Sequence, residues 1–149
     1  MNPIKQKLYD LCMQYAGQRV ETAQEAIRSA KESSESDTKS SAGDKYETGR
    51  EMMQQEIARN EQQLLEARKL LHAMSRVPLK AYAAPVPGAL VVTDKGTFYL
   101  AISAGQLELD GKTYFAISPS SPIAMKLTGL KPGDHFTFNQ KTFTIEKIL

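Results

Sequence analysis

The strongest pattern in the sequence is a heptad-like repeat of apolar positions in residues 44–74. The repeat alternates steps of four and three residues, and its members are Met53, Ile57, Asn60, Leu64, Ala67, Leu71 and Met74. This spacing keeps one stripe of side chains on one face of a helix and is typical of a coiled coil, with Asn60 as a polar position. The pattern predicts a helix from Asp44 to Met74.

A second apolar stripe precedes it and predicts a helix from Pro3 to Ser33. Its members are Ile4, Leu8, Cys12, Ala16, Val20, Ala23, Ile27 and Ala30. The steps of four before Val20 imply a local stutter in the coiled coil. The serine-rich segment from Ser33 to Gly43 favours a reversal of the chain. We therefore expect an antiparallel helical hairpin over residues 1–76 with its tip near 33–43, although a parallel dimer of one interrupted helix is an alternative.

The composition changes near residue 77. Residues 77–88 contain Pro78, Pro85 and Pro87 and predict an extended linker. Short alternating runs follow it and predict strands at Leu90 to Thr93, Thr97 to Ile102, Gln106 to Leu109, Lys112 to Ile117, His135 to Phe138 and Lys141 to Ile148. Residues 89–149 are thus expected to form a second domain.

Turn and cap residues complete that domain. Asp110 and Gly111 favour a tight hairpin turn in which both central residues have positive φ. Ser121 and Pro122, with Gly129 beyond, predict a short capped helix. The fold class is α+β: an N-terminal antiparallel coiled-coil hairpin followed by a small antiparallel β-sheet domain with one short helix.

Composition and charge restrict the function. The 149-residue chain has 19 Lys and Arg against 17 Asp and Glu, a net charge of +2, which is too small to indicate wrapping of a phosphate backbone. The longest apolar runs are too short for a membrane span or a signal peptide. With Cys12 as its one cysteine, the chain is expected to be cytoplasmic and to bind a protein partner.

The predicted tip is acidic. Residues 32–47 hold five carboxylates and two lysines, and Asp37 and Asp44 are the candidate metal ligands among them. Carboxylates suit Mg²⁺, which often takes only one or two from a protein, so a tip could complete a site owned by a partner. Solvation of the loop is the equally weighted alternative. Phosphate-binding loops, nucleophile elbows and paired histidines at ligand spacing are missing, so neither an autonomous enzyme nor a cofactor of its own is expected.

Two segments resemble the Gre family of bacterial transcript-cleavage and elongation factors. The more specific is Ala116-Ile117-Ser118 followed by Ser121-Pro122-Ile123-Ala124, then Leu127, Gly129, Gly133, Asp134 and the closing strand. The weaker is Asp44-Lys45-Tyr46-Glu47 with Arg50. Aligned on Tyr46, the two acidic residues of the cleaving members would fall at Lys39 and Ala42, so the acidic tip is altered.

The resemblance implies an FKBP-like C-terminal domain and a function in transcription elongation. The C-terminal domain would dock through Ser121, Pro122 and Ile123 at the rim of the secondary channel of RNA polymerase, and the tip with Tyr46 would enter the channel. Nascent RNA and DNA would be met only within the elongation complex. The protein would act as a monomer, and it would either stimulate the polymerase's own cleavage of backtracked RNA, with Asp37 and Asp44 on a shared Mg²⁺, or modulate pausing without cleavage.

Two other functions remain open. An FKBP-like peptidyl-prolyl isomerase or chaperone is one, although the chain has no Trp to floor an isomerase pocket and the tip is polar. A coiled-coil adaptor that self-associates through the stripe from Met53 to Met74 is the other.

Overall fold

A computed structural model describes residues 3–39 and 43–149, with side chains described for 3–33 and 49–149. A long helix pair, α1 (Pro3–Lys39) and α2 (Gly43–Ser75), precedes a six-stranded, mostly antiparallel sheet. The strands are β1 (Leu90–Thr93), β2 (Gly96–Leu100), β3 (Gly105–Leu109), β4 (Lys112–Ile117), β5 (His135–Phe138) and β6 (Lys141–Ile148). A short helix, α3 (Pro122–Leu127), lies between β4 and β5. The predicted α+β class is confirmed.

The burial of the helix pair follows the two predicted stripes. Every member of both stripes is buried or half-buried, while most of the positions between them in residues 18–33 and 50–69 are exposed. Among the described side chains of residues 16–33 and 49–71, the most deeply buried are those of the small residues Ala16, Ala23, Ala30 and Ala67. Burial in this part of the helix pair is thus deepest at alanine rather than at the larger apolar members of the two stripes.

Helix α1 extends six residues beyond the predicted end at Ser33, to Lys39. The serine-rich segment favoured a loop because Ser competes with the helix through side-chain hydrogen bonds to the backbone. That preference costs only about 0.5 kcal/mol per residue, and residues 33–39 contain neither Gly nor Pro. A weak propensity therefore did not end the helix.

The chain divides by contact into two compact units. Unit 1 comprises residues 1–15 and 72–149, and unit 2 comprises residues 16–71. The predicted domains divide the chain differently, by sequence pattern. They are residues 1–76 and 89–149, with a linker between them. The contacts therefore assign the first thirteen residues of α1 to the unit that contains the sheet.

The strand order in the sheet is β3-β4-β2-β1-β6-β5. The predicted Asp110-Gly111 turn forms, with φ of 51° and 77°, and Asn139 and Gln140, which join β5 to β6, have φ of 51° and 65°. The expectation of a wholly antiparallel sheet is wrong at one place, because β2 and β4 pair in parallel with Phe98 opposite Phe115. The β3–β4 hairpin folds back beside β2 after a short connection, which leaves β4 running in the direction of β2.

Both faces of the sheet are buried in unit 1. One face packs against α3, and the core on this face, here called the α3-side core, holds Val91, Phe98, Leu100, Ala124, Leu127, Phe136, Phe143 and Ile145. The other face carries Leu90 and Tyr99, which are almost fully buried, as are Leu8, Cys12 and Met74 of the helices. These five residues are here called the helix-side core. Ile4 of α1 lines a cavity with Leu90 and Tyr114, so the start of α1 covers this second face.

The predicted linker forms no helix or strand, but it is packed rather than free. Tyr82 and Val86 lie against the α3-side core. Gly88 donates its N–H to Leu100 O at 2.7 Å and has φ of +97°. A Cβ at this position would stand 2.7 Å from Pro78 O, so the glycine permits a backbone approach that no other residue would.

Candidate functional site

Helix α3 is positioned by the residues that the sequence singled out. Ser121 is the N-cap with extended backbone, and its Oγ accepts a hydrogen bond from Ala124 N at 3.3 Å. The same hydroxyl donates to Ser118 O at 2.7 Å, and Pro122 occupies the first helical position. Gly129 follows the helix with φ of +82°. The predicted cap, helix and terminator are confirmed.

The N-terminal half of α3 borders the candidate site, which we call the α3 cavity. It measures about 650 Å³ and is lined by Lys95, Phe98, Phe115, Ile123, Lys141 and Phe143. The ring centroids of Phe98 and Phe115 lie 5.8 Å apart, and those of Phe98 and Phe143 lie 6.0 Å apart in an edge-to-face arrangement. The cavity therefore has a rigid aromatic floor, with Ile123 on its helix side.

Of the predicted partner-binding residues, the structure brings Ile123 directly to this cavity. Pro122, the preceding residue, is exposed, and Ser121 is half-buried in its capping bonds. Met125 on the same helix is 68% exposed, one of the most exposed large apolar side chains of the described residues. An apolar cavity and an exposed apolar helix edge suit a protein contact better than chemistry on a small substrate.

Sequence reasoning missed five members of the cavity as site residues, namely Lys95, Phe98, Phe115, Lys141 and Phe143. Phe115 joins Phe98 through the parallel β2–β4 pairing, which has no local sequence signal. Lys95 lies in the β1–β2 turn, donates to Thr142 O and pairs with Asp94 at 3.3 Å. A hydrogen bond from Thr144 N at 2.8 Å is the main cause that lowers the pKa of Asp94 below its usual range.

The predicted tip site lies outside the described side chains. Asp37 falls in α1 and Asp44 and Tyr46 fall in α2, but the side chains of residues 34–48 are not described. Within the described part of the chain, no cluster of three or more His, Cys, Asp or Glu could hold a metal ion. The roles of Asp37, Asp44 and Tyr46 stay predictions.

Sequence reasoning also missed a buried lysine. Lys5 is only 2% exposed, and its Nζ donates to Lys80 O at 2.6 Å and to the main-chain oxygen of Leu149 at 3.2 Å. The ammonium also lies 5.2 Å from the Tyr82 ring centroid, a cation–π contact. Burial lowers the pKa of Lys5. These bonds tie the first turn of α1 to the linker and to the end of the sheet.

Cys12 and Tyr99 are two titratable groups with no exposed surface. Burial raises the pKa of the Cys12 thiol from 9.0 to about 12, which suppresses the nucleophilic thiolate. Burial also raises the pKa of Tyr99, with smaller contributions from Cys12 and Tyr9. Both groups belong to the helix-side core, whereas the sequence analysis placed Cys12 only in the apolar stripe of the first helix.

Comparison with known proteins adds no assignment. No protein-family model matches the chain, and no curated protein matches it significantly. Among the described residues, no helix combines the length and apolarity that crossing a bilayer requires.

Proposed function

We propose that this protein regulates transcription elongation by binding RNA polymerase, as its resemblance to the Gre family implies. In this proposal the C-terminal part has an FKBP-like fold and docks at the rim of the secondary channel, while α1 and α2 form an antiparallel coiled-coil hairpin whose tip enters the channel. The protein is cytoplasmic and monomeric, and it has no catalytic activity of its own.

The observation that best supports the proposal is the α3 cavity. The Ser121-Pro122-Ile123 segment, the most specific part of the resemblance, caps and begins the helix that borders this cavity. A protein side chain entering the cavity would meet an aromatic floor, and the exposed Met125 would widen the apolar contact. Burying apolar area of this kind contributes about 25 cal/mol per Å².

The charge distribution supports the same reading. Unit 1 has ten Lys and Arg against six Asp and Glu, whereas unit 2 has nine against eleven. A basic docking part would be attracted to an acidic protein surface, and an acidic helical part suits delivery of carboxylates to a metal-dependent centre. Asp37 and Asp44 would supply the carboxylate oxygens that Mg²⁺ prefers.

Two mechanisms remain within this function. In one, the tip carboxylates help the polymerase hydrolyse backtracked RNA; in the other, the tip occupies the channel and changes pausing without cleavage. Incubation with backtracked elongation complexes, followed by measurement of RNA length and of co-migration with polymerase, separates them. If the unaltered chain shortens the RNA and the Asp37→Asn, Asp44→Asn double variant does not, the tip carboxylates assist cleavage. If the protein binds polymerase without shortening the RNA, the tip changes pausing without cleavage.

The docking step has its own test. Ile123→Ala should weaken co-migration with polymerase, because it removes the apolar wall of the α3 cavity. Leu130→Ala is the matched control, since Leu130 also packs against the α3-side core but does not line the cavity. Equal binding by the two variants, or no binding of the unaltered chain to polymerase, would refute the docking proposal. Ser121→Ala is unsuitable alone, because loss of the cap costs about 1 kcal/mol of stability.

An FKBP-like isomerase or chaperone is the second candidate, and the aromatic floor of the α3 cavity is the observation that favours it. FKBP-like activity would accelerate cis-trans exchange in a proline-containing test peptide. A rate equal to the uncatalysed rate would remove this candidate. A self-associating coiled-coil adaptor, the third candidate, would have a dimeric or larger mass in sedimentation equilibrium.

A further inference from the structure

The rim of the α3 cavity carries positive charge that its apolar floor does not require. Two of the six lining residues are lysines, Lys95 and Lys141, and none of the six is acidic. Two ammonium groups beside an apolar cavity favour an occupant that carries negative charge as well as an apolar group.

The two lysines are not equivalent. Lys95 is partly neutralised by Asp94 and held by Thr142 O, and its Nζ lies 5.9 Å from the Phe143 ring centroid. Lys141 is exposed, and it belongs to none of the ion pairs among the described residues. Lys141 therefore presents an uncompensated charge beside the cavity, while Lys95 is oriented by the turn that holds it.

The occupant is restricted by the burial of the rings. Phe98 is 6% exposed and Phe143 is 8% exposed, so neither of these two rings presents an open face on which a nucleic-acid base could stack, and the third ring, Phe115, is half-buried. A side chain that inserts from a folded surface needs only the small exposed part of the rings. The cavity thus suits a protein segment better than a single-stranded nucleic acid.

From this combination we propose that Lys95 and Lys141 select an acidic partner surface, one that inserts an apolar side chain into the α3 cavity and sets carboxylates against the two ammonium groups. The inference rests on the proposed docking to RNA polymerase and identifies the kind of surface bound there. Rim charges of this type act mainly on the association rate and on its salt dependence. Lys141 is the main determinant, because no ion pair among the described side chains offsets its charge.

The test is charge reversal at one position with a matched control on the same strand. Lys141→Glu reverses the charge at this position of the rim, whereas Lys147→Glu makes the same change in net charge away from the α3 cavity. Lys147 pairs with Val92, past the register shift in the β1–β6 ladder, and lines a cavity with Leu90 and Tyr114 on the helix-side face. Surface-immobilised core RNA polymerase is the probe, with association rates measured at low and high salt.

We expect Lys141→Glu to slow association about tenfold at low salt and Lys147→Glu to change it much less. Raising the salt should reduce the difference, since exposed charges are screened over roughly 10 Å at 0.1 M. Lys141→Arg, which keeps the charge, should bind like the unaltered chain. Thermal unfolding of each variant confirms that it is folded.

The negative results are distinguishable. Equal association rates for Lys141→Glu and Lys147→Glu, with normal binding of the unaltered chain, would overturn this inference and leave polymerase docking intact. Failure of the unaltered chain to bind polymerase would overturn both.

Discussion

At the scale of single residues, the helix-side core holds a polar group in an apolar place. Tyr99 has no exposed surface, and its hydroxyl has no hydrogen-bond partner among the described residues. A buried hydroxyl without a partner loses its hydrogen bonds to water and gains none in return. The aromatic ring stabilises this core by its area, while the hydroxyl opposes that stabilisation.

Replacing Tyr99 by Phe should therefore raise the free energy of unfolding, by about 1 kcal/mol. Urea denaturation of the full chain measures the change. Tyr114→Phe is the matched control, because Tyr114 is buried on the same face but its hydroxyl is not among the buried unpartnered atoms. A loss of stability in Tyr99→Phe would mean that the hydroxyl has a partner.

Cys12 provides a second prediction at this scale. Burial raises the pKa of the Cys12 thiol in the folded chain to about 12, whereas the ordinary pKa of a cysteine thiol is 9.0. Between these values the unfolded chain releases its proton and the folded chain does not, so this group makes stability fall as the pH rises above about 9. We expect iodoacetamide at pH 8 to leave the native protein unmodified and to alkylate it in urea, as mass spectrometry can follow. Equal rates in both conditions would contradict the burial of Cys12.

Among the elements of the sheet, the β3–β4 and β5–β6 turns solve the same geometric problem with different residues. Both central positions of each turn have positive φ. Asp110-Gly111 places glycine at the second position, where the left-handed conformation has little steric cost. Asn139-Gln140 places a long side chain there, so the β5–β6 turn carries strain that the β3–β4 turn avoids.

Gln140→Gly should stabilise the protein by about 0.5 kcal/mol, because relief of left-handed strain exceeds the added freedom of glycine in the unfolded chain. Gly111→Gln is the reciprocal change and should lower stability by a similar amount. Thermal unfolding of both variants measures the effect. Destabilisation by Gln140→Gly would show that the Gln140 side chain contributes more through contacts than the turn loses through strain.

At the scale of the whole molecule, the division into units explains a change of period within α1. Steps of four run from Ile4 to Val20, and the four-three alternation begins only beyond Val20. The boundary between the units falls after Tyr15. The steps of four thus largely coincide with the part of α1 that covers the sheet, where a coiled-coil period is not required. The predicted stutter thus lies near the place where α1 passes from packing on the sheet to unit 2.

This division predicts that residues 77–149 are not stable alone. Removing the helices uncovers the face that contains Leu90 and Tyr99, which Leu8, Cys12 and Met74 keep from water in unit 1. We expect the fragment to bind the dye ANS and to unfold less cooperatively than the full chain, as fluorescence and near-UV circular dichroism can measure. A fragment with the native near-UV spectrum and no dye binding would show that the sheet domain is independent.

Some features of the candidate site are formed by residues close together in the sequence, and others by residues that are distant in it. Ser121, Pro122 and Gly129 act within a few residues, so the sequence predicted α3 and its cap. The α3 cavity needs Phe98 beside Phe115, and it also needs Lys141 near the β1–β2 turn that carries Lys95. Those juxtapositions join residues that are distant in the chain, and no spacing in the sequence encodes them.

Local patterns were enough to predict most of the helices and strands, because helical stripes, strand alternation, caps and turn residues depend on hydrogen bonds and conformational preferences over a few residues. The parallel pairing of β4 with β2 and the packing of residues 1–15 with the sheet are visible only in the folded chain. The same is true of the burial of Lys5. These features depend on which apolar surfaces are buried together, and that choice is made by the whole chain because its free energy is a sum over distant contacts.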